Sequence, residues 1–475
     1  MPTRPPPGCS RANDTLRAGA VAPARDILAR DEMTPTDQIL RGRLLSFARR
    51  PEGPEDRDAY TYLEDGALHV ANGRIVARGT WDEVRAAAPE VPVVDHRPHL
   101  ILPGFVDTHI HFPQIEMIAS WGAQLLDWLN TYTFPTELRF DDPDHAAAMA
   151  RAFFDLLLSH GTTTAVAFGS VHPQSVDAFF TEAARRDMRM LAGKVMMDRN
   201  APEGLRDTAQ RGYDESRALI GRWHGRGRAG YAIAPRFALT STPAQLQAAG
   251  ALAAEFPDCP VQTHLSENPA EIAATRALFP DAPDYLGIYE SHGLVRGNTL
   301  LGHAIHLEPR EIDALAERGA RPVFCPTSNL FLGSGLFDDA GLRARGIVPG
   351  IATDVGAGTS YSMLATLSEG YKVLQLRGQK LHPLAAFDWI TRGNAEVLGL
   401  ADRIGTLDPG TEADVVVLDS RATPDMALRL SRAESLSEEL FALQVLGDDR
   451  AVAQVYVAGR AQLGRDRADV AHAAA

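Results

Sequence analysis

Cysteine is scarce in this chain of 475 residues. Cys9, Cys259 and Cys325 form no CxxC and are too few for a disulfide framework, which favours a reducing, cytoplasmic setting. No apolar run approaches the ~18 residues that a membrane-spanning helix needs. The formal charge is −14, and basic residues gather only near the N-terminus and in 222–228. A nucleic-acid partner needs a concentrated positive surface, so neither nucleic acid nor membrane is expected as a partner. No GxGxxG follows a strand-like run, so a dinucleotide fold lacks its fingerprint. The first residues carry arginines but no apolar core of a secretory signal. Residues 1–35, rich in Pro, Arg and Ala without periodicity, read as a disordered leader, with Met33 an alternative start. A mitochondrial transit helix is poorly served by Pro5, Pro6 and Pro7.

What the chain does have is β-pattern at both ends. Strand-like runs fall at 39–47, 66–80 and 91–95, and again at 413–419 and 452–463. Asn72-Gly73 between two such runs is a type I′ hairpin signal. The two groups predict a small β-sandwich domain built from 36–98 and 402–466, with a tail at 467–475.

Between them, 99–401 alternates apolar strand-like runs with helical stretches such as 144–159, 174–186 and 308–319. Eight candidate strands fall at 101–111, 162–170, 189–197, 230–236, 260–265, 298–307, 322–328 and 348–356. Repeated βα units of this size make a parallel sheet, and eight of them predict a closed (β/α)8 TIM-like barrel, an α/β fold whose reactive groups belong at the C-terminal strand ends.

The histidines test that expectation. There are fifteen, so one alone means little. His109 and His111, two residues apart on a strand, share a face and can reach one ion, at roughly 2.0–2.1 Å for zinc. His264, His303 and Asp354 fall near the ends of the fifth, sixth and eighth strands. Singly, each has a plain structural alternative: a core hydrogen-bonder for the histidines, a helix cap for Asp354. Five such groups at one rim point to a metal. His306, an odd number of positions after His303, would face away on a continuing strand. Three imidazoles and a carboxylate suit one divalent ion, Zn2+ or alternatively Fe2+, whose bound water would have its pKa lowered toward ~7. Asp354 is the natural base for that water. Glu267, three residues after His264, reads as a proton shuttle or as a capping glutamate in the turn-rich 266–269.

PGFVDTHIH, HLSE, GH on the sixth strand and TD on the eighth resemble the amidohydrolase superfamily, in its mononuclear deaminase branch, over nearly the whole chain. HFPQ (111–114), PRFA (235–238), HLSEN (264–268) and CPTSN with LFLGSG (325–335) are similar to motifs of the guanine deaminases. The resemblance implies hydrolysis of guanine to xanthine and ammonia, in purine catabolism or salvage, by a homodimer. It implies metal binding by His109, His111, His264 and Asp354, and a hydrogen bond from His303 to the attacking oxygen. It also implies protonation of a ring nitrogen by Glu267, and substrate binding by Gln114, Arg236 and Phe237. Arginine donors match the O6 and N7 acceptors of guanine and would be left unpaired by adenine. Superfamily members with two metals carry a bridging lysine on the fourth strand, where this chain ends in Arg236, so one metal is expected. Lys194 and Cys325 are read as structural. The aromatic-rich segment with Trp121, Trp128, Tyr132 and Phe134 is a lid or a subunit contact. The rival readings are a deaminase or chlorohydrolase acting on another ring (8-oxoguanine, an adenosine derivative, a triazine) and, from a different class, a non-catalytic assembly module.

Overall fold

In the computed structural model, which describes residues 37–122 and 124–462, the β-rich ends of the chain meet in one sheet. The leader expected at 1–35, Cys9, Met33 and the tail at 467–475 lie outside the described residues. Four strands come first: β1 (Gln38–Phe47), β2 (Tyr60–Ala71), β3 (Arg74–Thr80) and β4 (Val93–Pro103). The middle contributes β5 (Phe105–His111), β6 (Thr162–Phe168), β7 (Arg189–Gly193), β8 (Val195–Met196) and β9 (Ala229–Tyr231). Then follow β10 (Ala234–Pro235), β11 (Val261–Leu265), β12 (Thr299–His303), β13 (Arg321–Phe324) and β14 (Gly350–Ile351). Three strands close the chain: β15 (Val415–Leu418), β16 (Val452–Val457) and β17 (Arg460–Ala461).

The terminal strands order as β17-β16-β15-β4-β1-β2-β3. Asn72 and Gly73 both take left-handed backbone, φ 52° and 77°, the hairpin geometry that matches the twist of β2 and β3. Helices Pro424–Leu430 and Leu436–Leu446 also lie in this C-terminal stretch. Leu440 and Leu443 of the second enter the main core. The strand expected over 101–111 is two: β4 stays with the terminal sheet to Pro103, and β5 starts after Gly104. The Gly104 amide donates to the Asp414 carbonyl at 2.9 Å, and a Cβ there would stand 2.1 Å from Thr163 Oγ1. Glycine is therefore required where the chain crosses from one sheet to the next.

The middle forms two parallel four-stranded sheets, β5-β6-β7-β9 and β11-β12-β13-β14, with a short parallel pair β8–β10. A parallel bridge, Ile233 to Val261, lies between them. The last strand region meets the first: the Asp354 amide donates to the His109 carbonyl at 3.0 Å, and the His111 amide to the Val355 carbonyl at 2.7 Å. Helices Pro143–Ser159, Pro173–Arg186 and Pro309–Arg318 each begin with proline in the first turn, where its missing N–H leaves no helical bond unmade.

Several strands are shorter than their apolar runs. The run 298–307 stops as a strand at His303, and 348–356 keeps only Gly350–Ile351. The run 322–328 leaves the strand after Phe324 for a helix, Pro326–Phe331. Those at 189–197 and 230–236 are each interrupted. Ser266, His303, Ala304 and Asp354 have φ of 49°, 68°, 49° and 52°, which no ladder continues through. Such backbone costs about 1–3 kcal/mol per residue and persists only where the surroundings impose it. All four lie where the candidate site gathers.

Candidate active site

His109 and His111, alternate residues of β5, point the same way, and His264 comes from β11 to meet them. One ligand atom from each lies within 4.8 Å of the others. The His111 and His264 Nε2 atoms are 3.2 Å apart. Asp354 Oδ1 stands 3.3 Å from His109 Nε2 and 3.4 Å from His111 Nε2. The donor set fits a cation on two independent counts. His264 Nδ1 faces the Arg236 carbonyl at 2.7 Å. A carbonyl only accepts, so Nδ1 carries the proton and the Nε2 lone pair is free. His109 Nε2, for its part, is buried without a hydrogen-bond partner.

Electrostatics point the same way. Burial, reinforced by the other imidazoles, holds His264 well below the usual histidine range, and burial also lowers His111. Burial alone would raise the Asp354 carboxyl, but the adjacent His109 and His111 hold it well below. His111 and His264 are thus neutral imidazoles beside an anionic carboxylate, the forms in which these groups bind metal.

Glu267 and His303 face each other beside that cluster. Glu267 Oε2 is 3.4 Å from His303 Nε2, which is 3.8 Å from Asp354 Oδ2. Burial first, and the Asp354 charge second, push the Glu267 carboxyl well above its ordinary value. A protonated carboxylic acid is what a proton donor needs to be at neutral pH. Burial takes His303 down to about 3. Ser334 Oγ donates to Glu267 Oε1 at 3.0 Å, and Asn329 Nδ2 meets His303 Nδ1 at 2.9 Å.

Gln114, Arg236 and Phe237 line one cavity together with His111, His264, Glu267, His303 and Asp354. Phe237 lies edge-on to His264, centroids 6.0 Å apart. Every residue named from the sequence as a site candidate is therefore at one place. The sequence reading missed Glu137, whose buried carboxylate receives Arg236 Nη1 on both oxygens, at 2.9 and 2.8 Å, and Gln114 Nε2 at 2.9 Å. It also missed Ser334, Asn329 and Phe168, whose ring stacks on His111 at 4.7 Å. Glu137 gave no signal, because FPTEL reads as ordinary helix. Asn329 and Ser334 sit in motifs that were noticed but given no role.

Other expectations resolve differently. His306 is not on a continuing strand, since β12 ends at His303; its Nε2 meets the Ser334 carbonyl at 2.7 Å. Lys194 is fully buried and paired with Asp207, in keeping with a structural role. Cys325 is closer than a remote structural residue: its Sγ lies within 4.8 Å of donor atoms of His109, His303 and Asp354. Burial raises its thiol well above the ordinary value, so it stays uncharged. From the segment after β5, Leu125, Trp128 and Leu129 line the cavity, whereas Trp121 is 78% exposed.

Residues 100–461 match the amidohydrolase family. The chain is 48% identical over 427 residues to the guanine deaminase of Escherichia coli K12, covering 90% of this chain and 97% of that one. It is 42% identical to a probable guanine deaminase of Deinococcus radiodurans, covering 90% and 99%. The solved E. coli guanine deaminase superposes with a TM-score of 0.88 over 90% of this chain and all of that one. A guanine deaminase from C. acetobutylicum, solved with guanine bound in its active site, is 27% identical, with a TM-score of 0.81 over 90% and 100%.

Proposed function

Since this chain belongs to the amidohydrolase family, we propose that the cavity lined by His111 and Arg236 is its active site, where guanine is hydrolysed to xanthine and ammonia. The chain is an enzyme, a hydrolytic deaminase, and members of its family depend on a metal. The observation that carries the residue assignment is the cavity's two-sided chemistry. A cluster of metal-type donors with a buried neutral acid shares one cavity with an arginine and a glutamine whose polar ends Glu137 fixes in place.

His109, His111, His264 and Asp354 would hold one divalent ion, Zn2+ by donor type and alternatively Fe2+. Bound there, such an ion supplies Lewis acidity that lowers the pKa of a water toward ~7. Asp354 takes a proton from the attacking water while Glu267 gives its own to a ring nitrogen beside the reacting carbon. His303 hydrogen-bonds the oxygen that develops on that carbon. Asp354 then returns its proton to the amino nitrogen, the C–N bond breaks, and ammonia leaves. Glu267 recovers a proton from the new hydroxyl as the carbonyl of xanthine forms. Arg236 and Gln114 orient the ring, and Phe237 packs against it.

The wider setting belongs to the same reading. The two parallel sheets and the hydrogen bonds from Asp354 and His111 across the last and first strand regions support a closed (β/α)8 barrel over 99–401. The composite seven-stranded sheet supports a small β domain from 36–98 and 402–466, built as one sheet where a sandwich was expected. Cys259 and Cys325 are free and buried, in keeping with a cytoplasmic enzyme, and a homodimer follows from the family resemblance. Among the described residues no helix is long and apolar enough to cross a membrane.

The deciding experiment measures ammonia and xanthine from guanine, with other purines and triazines in parallel. Release from another ring and none from guanine would transfer the assignment to that ring. Metal analysis of the purified chain beside His109→Ala tests the rival of another class: a wild type that neither holds nor takes up metal is an assembly module.

A further inference from the structure

We propose that Glu137 is a positioning residue that dictates which ring edge the cavity accepts, a role that rests on reading the cavity as a purine site. Its side chain is 1% exposed, and it comes from the helical turn Phe134–Leu138 in the segment after β5.

Glu137 removes the ambiguity of Gln114. An ionised carboxylate cannot donate and a backbone amide cannot accept. The Gln114 amide therefore has one orientation, Nε2 toward Glu137 at 2.9 Å and Oε1 toward the Gly356 N–H at 3.2 Å. One N–H and one lone pair of that amide remain for a ligand. Glu137 also fixes Arg236. Both its oxygens engage Nη1, so the other guanidinium donors are left for the cavity that Arg236 lines. Phe134, from the same turn, puts its ring centroid 5.7 Å from Arg236 Cζ. A single short segment thus holds the guanidinium by charge and by an aromatic face.

The ligand class that fits is an uncharged fused ring with adjacent oxygen and nitrogen acceptors, a 6-oxopurine rather than a 6-amino- or 6-unsubstituted purine.

Glu137→Gln keeps the volume and removes the charge. The test compares the KM for guanine with the Ki of 2-aminopurine, which keeps the amino-bearing carbon but lacks the oxygen acceptor. The expected result is a guanine KM raised at least about tenfold, a 2-aminopurine Ki changed by less than about threefold, and kcat held within about threefold. Metal content should stay that of wild type. A rise of both constants together would make Glu137 a merely structural residue, and an unchanged guanine KM would leave it no role; either overturns the proposal. If Glu137→Gln does not fold, Glu137→Asp is judged by the same two constants and the same outcomes. A wild type that neither deaminates guanine nor binds 2-aminopurine would instead remove the purine reading of the site.

Discussion

Glu267 and His303 sit 3.4 Å apart with the carboxyl held neutral by burial and the imidazole likewise uncharged. Two neutral groups at that distance can share a reacting ligand without competing as an ion pair. Replacing Glu267 by Gln preserves shape and the Ser334 contact but removes the transferable proton. Turnover should fall by about 10²- to 10⁴-fold, while metal content, measured by elemental analysis, stays unchanged. Wild-type kcat in this variant would end the proton-shuttle role.

Gly302 precedes His303 and lies against His109, a proposed metal ligand. A Cβ there would stand 2.6 Å from His109 Cε1 and 3.0 Å from its Nδ1. Gly302→Ala should therefore displace His109 and weaken metal binding by about 10- to 100-fold, the scale on which supporting contacts act. Titration with a competing chelator measures this. An unaltered affinity would mean that His109 is not a ligand or that β12 yields without cost.

Lys194 and Asp207 are both fully buried and paired. Lys194→Met leaves the carboxylate without its cation, which should destabilise the fold by about 3–5 kcal/mol, read from denaturant unfolding. Metal stoichiometry should remain one per chain. A fall from two ions to one would show that Lys194 supports a second metal.

Glu271, in the first turn of the helix Pro269–Leu278, is raised by burial to about 7. Its folded-state value exceeds its unfolded one, so the native state binds more protons between about 4.5 and 7. Its contribution to stability is greatest below about pH 4.5 and is lost as pH rises through about 7. Glu271→Gln keeps an acceptor for the Asn268 amide and cannot ionise. Melting curves should show wild type losing more stability than the variant between pH 5 and 8, with parallel slopes counting against the assignment.

The metal side of the site was open to sequence reasoning because strand periodicity alone puts His109 beside His111, and strand ends place His264 and His303 near them. Asp354 does not end a long strand, since the strand there is only Gly350–Ile351; a left-handed turn presents the carboxylate instead. Apolar runs do not encode such turns, which is also why His306 was placed on a strand that had already stopped. Glu137 was invisible for a different reason. Its partners, Gln114 and Arg236, are 23 and 99 residues away in sequence, and a glutamate in a helical turn reads as a solvated one. The side proposed to bind the substrate depends on such long-range pairing, so only motif resemblance points to Gln114, Arg236 and Phe237.

Residue 236 belongs to both halves of the chemistry by different atoms. Its side chain lines the cavity proposed to bind the ring, while its carbonyl sets the tautomer of His264. On the proposed assignment, side-chain replacement at this position should alter what is bound yet spare the metal, because every amino acid supplies the same carbonyl. Inserting or deleting one residue in 234–237 would move that carbonyl and disturb His264 whatever side chain remained. An engineer seeking a new ring specificity therefore has freedom in composition here, but none in length.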